Sequence, residues 1–166
     1  GVEDYMESNT RFLMMNRNWS GLVIDGSQKN IESIKKQKIY WKYDLQAINH
    51  FITKENINEI IHDQLSILNI DDDIGILSVD IDGNDYWVLN EINVINPSII
   101  ICEYNSIFGN KHSLTIPYDK NFNRTKYHYS NLYWGASIKA IDSMLSKRGY
   151  VYVGSNKQNL NAFFVN

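Results

Sequence analysis

The stretch Ile74 to Asp82, IGILSVDID, reads as a β-strand buried on both faces that ends in two acids. Its apolar run is continuous rather than alternating, as in a parallel sheet covered by helices on either side. Before it, Asn56 to Leu68 carries Ile57, Ile60, Ile61, Leu65 and Leu68 at helical spacing, and after it Tyr86 to Ile92 gives a short helix. Pro97 breaks the chain, and Ser98 to Glu103, SIIICE, forms another buried strand. Upstream, Gly21 to Ser27 (GLVIDGS) is a strand of the same kind. A helix over Phe12, Leu13, Met14 and Met15, which Ser8, Asn9 or Thr10 can cap, precedes it, and an amphipathic helix over Gln28 to Lys38 follows. Ile39 to Leu45, IYWKYDL, is read as a further strand ending at Asp44. At the other end, Ala136 to Lys147 is a helix closed by Gly149, and Tyr150 to Val153 with Asn161 to Val165 make a terminal antiparallel hairpin.

Strands that alternate with helices predict an α/β fold with a mostly parallel sheet, helices on both faces and a mixed far edge. The chain opens at Gly1 where such a sheet has a strand in front, so the first strand is expected to be missing from this sequence. Residues 1–166 are read as a single domain, without internal repeats. Between Ser106 and Trp134 the periodicity disappears, and a loop of that length is expected to bind substrate. The 16 basic and 19 acidic residues leave a net charge of -3, which gives no basic field for nucleic acid. No run approaches the roughly 20 apolar residues of a membrane span. Cys102, the one cysteine, sits in an apolar run and suits a reducing, cytoplasmic setting. The expected partners are a small-molecule acceptor and a second copy of the chain.

In an open α/β sheet, ligands bind beyond the carboxyl ends of the strands. Asp25 stands at such an end, where its two oxygens can accept both hydroxyls of a ribose; the alternative is a cap on the next helix. Gly26 beside it lets a backbone approach closely. Asp44, behind Tyr40, Trp41 and Tyr43, can accept an exocyclic amine while a base packs on the rings, or can be a solvated acid beside an aromatic core. Asp80 to Glu91, DIDGNDYWVLNE, matches much of a calcium loop, but Asp85 stands where the turn wants glycine and a strand precedes it. A second metal reading uses Asp80 and Asp82 on one face of their strand with Glu103 and Asn105 on the next, close enough to bridge through Mg²⁺. Its alternative has Asn84 or Asp85 capping a helix, with Asp80 touching a cofactor directly. His112 and His128 in the long loop, together with Asp82, are the candidates for taking a proton, and Lys126 and Arg124 for holding an anionic acceptor.

The runs GVEDYMESNTRFL, GLVIDGS, YWKYDL, LSVDIDGNDYWVL, IIICEYNSIFG, YWGASIKAID and LNAFFV resemble class I S-adenosylmethionine-dependent methyltransferases of a bacterial, FkbM-related group. The resemblance runs along the whole chain and implies a Rossmann-like methyltransferase fold. It also implies O-methylation of a small polar acceptor such as a sugar or a cell-surface polysaccharide precursor. By that resemblance Gly1 to Asp4 hold the methionine end of the cofactor, Asp25 the ribose, Asp44 the adenine, and Asp80 the amino group or a metal. The cofactor-binding set so implied is Gly1, Glu3, Asn9, Asp25, Gly26, Ser27, Asp44, Leu45 and Asp80. This sequence departs from the common pattern in having one glycine, Gly1, in its first turn. A nicotinamide-dependent oxidoreductase would share the sheet but should carry G-x-G-x-x-G, and a non-enzymatic calcium module would use 80–91 alone.

Overall fold

Apolar runs bounded by acids and glycines become strands in the computed structural model, which describes residues 2–71 and 73–166. The chain divides into two compact units, Gly1–Ile52 and Thr53–Asn166.

The first unit comprises α1 (Arg11–Arg17), β1 (Gly21–Asp25), α2 (Gln28–Lys36), α3 (Lys38–Lys42) and β2 (Leu45–Asn49). β1 and β2 are parallel, with Gly21 opposite Leu45 and Asp25 opposite Asn49. Ser27 caps α2 through its side chain, 3.4 Å from the Asn30 amide, and α2 turns Ile31 and Ile34 inward. Those two pack with Tyr5, Met14, Val23, Ile39, Leu45 and Ala47 in one apolar core.

One expectation is corrected here. Ile39 to Leu45 is not a strand: residues 38–42 form α3, and the strand begins at Leu45. Aromatic and β-branched residues favour strands only where both faces find cover. Here Ile39 is buried, Tyr40 and Tyr43 are half-buried and Trp41 is 69% exposed, while the Tyr43 amide bonds the Ile39 carbonyl at 3.1 Å. LQAIN instead buries Leu45 and Ala47 on alternate positions, the period of a strand. Asp44 therefore lies at the amino end of β2, where its carbonyl accepts from the Gly21 amide at 2.9 Å.

The second unit comprises α4 (Ile57–Leu68), β3 (Ile76–Val79), α5 (Asp85–Glu91), β4 (Ile99–Glu103), a 3₁₀ turn at Ser106–Phe108, α6 (Arg124–Tyr127), α7 (Ile138–Ser146), β5 (Val151–Ser155) and β6 (Asn161–Val165). The sheet order is β3-β4-β6-β5. β3 and β4 are parallel; β6 runs antiparallel to β4 on one side and to β5 on the other. The terminal hairpin is thus present, with its last strand inside the sheet and β5 at the edge, bulged between Tyr152 and Gly154. Placing β6 in the interior suits its residues, since Ala162 and Phe164 are fully buried whereas Val151 and Val153 on β5 are exposed.

The fold is α/β, with the described strands divided between a two-stranded parallel sheet and a four-stranded mixed one. β1 with β2 and β3 with β4 are parallel, whereas both pairings of β6 are antiparallel, so the expected mostly parallel sheet is not what the described strands form. Among the described residues no helix is long and apolar enough to cross a membrane.

The long loop carries the 3₁₀ turn, α6 and a bridge between Thr115 and Ala136, and Ser137 holds its return to α7. This fully buried hydroxyl accepts from Ala140 N at 3.2 Å and Leu114 N at 3.0 Å, and donates to the His112 carbonyl at 2.8 Å. Ser137→Ala removes the helix cap and leaves buried backbone groups unpaired, so stability should fall by about 2 kcal/mol. Urea unfolding of the variant against the parent measures it.

Candidate functional site

β3 stops at Val79, and the chain then turns through Asp80, Ile81, Asp82, Gly83 and Asn84 before α5 starts at Asp85. Asp82 adopts a left-handed backbone, φ 61°. The turn is wound around the Asp85 carboxylate, which accepts from Ile81 N at 2.7 Å and Gly83 N at 2.8 Å and is 1% exposed. Val79 pairs with Cys102 across the parallel register, so Asp80 emerges beside Glu103 at the carboxyl ends of adjacent strands. Asp80 and Glu103 are hydrogen-bonded. One carboxylate oxygen from each of Asp80, Asp85 and Glu103 lies within 4.8 Å of the others.

Three carboxyl groups this close and this buried cannot all ionise at ordinary pH. Burial above all, then the charges of Asp85, Asp80 and Asp82, push Glu103 up to about 9. Burial and then the Asp85 charge raise Asp80 to about 6. Asp85 is also raised by burial, against the pull of the Ile81 and Gly83 amides on its charged form. Arg124 acts the other way on Glu103. Oε2 of Glu103 is buried without a hydrogen-bond partner, as are the side-chain oxygens of Asn84 and Asn161.

Part of the long loop closes over this turn. Gly135 N donates to the Gly83 carbonyl at 3.1 Å, and Asn84 Nδ2 to the Asp119 carbonyl at 2.8 Å. Arg124 pairs with Asp82 at 3.3 Å, bonds the Asn131 carbonyl at 3.1 Å and lies 4.4 Å over the buried Trp134 ring. Tyr127 adds a hydrogen bond to Asp119.

Two of the four expected metal ligands are corrected. Asp82 does not share a strand face with Asp80, because the strand ends at Val79; its exposed side chain turns to Arg124 instead. Asn105 is buried and tied to the loop: Nδ2 donates to the carbonyls of Leu132 (3.0 Å) and Trp134 (2.9 Å), and Oδ1 accepts from Ile107 N (3.1 Å). Asp85 takes their place. The signal for it was an acid directly after D-G-N at the head of an apolar helix, where a carboxylate folds back onto the preceding amides. Nor does 80–91 wind as a calcium loop, since its second half is α5, with Glu91 exposed at the last turn.

The proposed proton acceptors do not join the cluster. His112 is exposed and contributes its carbonyl to Ser137. His128 is exposed, with Nδ1 2.7 Å from Ser130 Oγ and its ring against Tyr129.

In the first unit, Asp25 is buried at the tip of β1. One oxygen accepts from Val2 N (2.8 Å) and Glu3 N (3.3 Å), the other from Ser27 N (2.8 Å) and Asn30 Nδ2 (3.1 Å). The structure thus gathers Glu3, Asp25, Gly26 and Ser27, with the acid's oxygens already engaged by its own chain. Asn9 is half-buried just before α1. Asp44 and Leu45 lie at the opposite end of the strand pair, about 13 Å away along five residues of strand. Their placement at a ligand-binding strand tip is corrected, since the residues at that end of β2 are Ile48 and Asn49. The expectation for Gly1 falls outside the described residues.

No protein-family model, curated protein or solved structure matches the chain.

Two outcomes follow from this geometry. Glu103 and Asp80 bind their protons more tightly folded than unfolded, so their contribution is full below about pH 4 and declines with rising pH, through about 6 for Asp80 and about 9 for Glu103. Glu103→Gln, which mimics the protonated acid, should therefore flatten the fall in urea midpoint between about pH 5 and about pH 9. Gly83→Ala would press its Cβ into the Phe122 ring. It should cost about 1–3 kcal/mol by overpacking, and Phe122→Ala in the same chain should recover part of that cost in a double-mutant cycle.

Proposed function

We propose that this chain carries an S-adenosylmethionine-dependent methyltransferase domain of Rossmann-like fold, related to the FkbM group. Its acceptor is a small polar hydroxyl compound, such as a sugar or polysaccharide precursor in a bacterial cytoplasm. The observation that carries the reading is the gathering of Asp80, Asp85 and Glu103 beyond the carboxyl ends of β3 and β4, where α/β sheets bind their ligands. Their excess of acceptor oxygens suits a ligand with positive charge, and S-adenosylmethionine carries both a sulfonium and an ammonium group. The terminal hairpin on the same sheet agrees with the resemblance of the sequence.

In this reading the acceptor oxygen attacks the sulfonium methyl in line. The carbon–sulfur bond breaks with its electron pair going to sulfur, and the hydroxyl proton passes to a carboxylate of the cluster. A carboxyl raised to about 6, as Asp80 is, exchanges a proton readily near neutral pH. The cluster therefore takes the role expected of His112 and His128. Arg124 on Trp134 packs the loop against the turn, which limits water at the strand tips. Asp25 supports the reading less, because ribose hydroxyls would have to displace the Val2 and Glu3 amides from it.

Calorimetry should show micromolar binding of S-adenosylhomocysteine, weakened at least about tenfold in Asp80→Asn, equivalent to about 1.4 kcal/mol. Absence of binding by the folded parent chain would overturn the proposal.

A further inference from the structure

Buried acceptor atoms without hydrogen-bond donors occur at Glu103 of the cluster, at Asn161 paired with it and at Asn84 next to Asp85 in the chain. Glu103, 7% exposed, has a buried Oε2 with no hydrogen-bond partner. Asn161 faces it directly across the β4–β6 register, and residues so paired point to the same face. The Asn161 side-chain oxygen is also buried and unpaired. Asn84, 7% exposed and next to Asp85 in the chain, turns its amide nitrogen to Asp119, which leaves Oδ1 buried without a donor. A buried acceptor left unpaired costs about 1–3 kcal/mol, a cost that a cation at the Glu103–Asn161 pair would offset. The Asp85 oxygens accept the amides of Ile81 and Gly83, one each.

We propose that Asp80, Asp85 and Glu103 form a binding site for a hard divalent cation, with the Asn161 side-chain oxygen as a neighbouring ligand. Carboxylate and amide oxygens without histidine or thiolate select Mg²⁺, Mn²⁺ or Ca²⁺ over softer metals. Carboxylate oxygens that all lie within 4.8 Å of one another are close enough to share one ion at about 2.4 Å. The turn is already wound around Asp85, and Glu103 is held by the central strand β4, so the ligands sit on ordered backbone before any ion arrives. A cation here offsets the mutual repulsion of three acids and supplies the donor that Glu103 Oε2 lacks. The inference goes beyond the methyltransferase reading of the same residues and does not require it. Where both hold, the ion would orient the acceptor oxygen and ease loss of its proton.

The probe is Mn²⁺ alone, followed by loss of its free electron paramagnetic resonance signal during titration of the whole chain with no S-adenosyl compound present. One Mn²⁺ per chain should bind, with a dissociation constant of about 1 mM or tighter, and Ca²⁺ should compete. Glu103→Gln and Asp80→Asn should each weaken uptake at least about tenfold. Asp63→Asn, exposed on α4 and outside the set, should change it less than about twofold. Circular dichroism identifies variants that stay folded, and if Glu103→Gln does not, Asp80→Asn decides. No Mn²⁺ uptake by the parent chain, or uptake unchanged in the folded ligand variants, would overturn the site. Because cofactor binding is measured separately, a chain that takes up Mn²⁺ but not S-adenosylhomocysteine keeps the cation site and loses the methyltransferase reading.

Discussion

The carboxylate of Asp85, buried at the head of α5 and holding the amides of Ile81 and Gly83, organises the second unit's strand tips. A charge taken out of water is costly unless hydrogen bonds hold it, and two backbone amides supply part of that compensation. Once Asp85 is placed, the residues between it and β3 have little freedom. Asp80 is set beside Glu103, Asp82 is turned out to solvent in a left-handed conformation, and Gly83 is pressed against Phe122. Burial above all, and then the charges of the neighbouring acids, drives Glu103 to hold its proton.

The loop above the turn is held by different physics. Its contacts include backbone hydrogen bonds, the bond from the Asn84 amide to Asp119, an ion pair between Arg124 and Asp82, and the Arg124 guanidinium over the Trp134 ring. An exposed ion pair contributes little by itself, whereas a guanidinium stacked on a buried indole adds apolar cover and orientation together. Asn105 anchors the far end of the same loop with both amide hydrogens on the carbonyls of Leu132 and Trp134. A residue that looked like a ligand from its place after a strand is in fact a clamp on the loop.

The tip of β1 in the first unit shows a related solution with a different result. Asp25 also receives backbone amides, from Val2, Glu3 and Ser27, but with Asn30 added its four contacts fill the positions a ligand would use. Its role in the structure is to tie the opening segment to the strand. Two acids at the ends of similar strands thus do different work, according to what the neighbouring backbone offers them.

Sequence periodicity alone determined most of the order of elements, the strands at GLVID, ILSV and IIICE, and the closing hairpin, because the pattern of apolar residues along a segment is a local signal. It also marked the strand ends as acidic. Which acids meet was decided by tertiary structure. IYWKYDL carries strand-forming residues yet winds as a helix, because only one of its faces finds a core, and this moved Asp44 to the other end of β2. The strand before DIDG ends earlier than its apolar pattern, so the period-two pairing of Asp80 with Asp82 gave way to a turn closed by Asp85. A chain's pattern records what each residue prefers to bury; which carboxylates share a pocket depends on where strands stop and in what register they pair, and those are set by contacts between residues far apart in sequence.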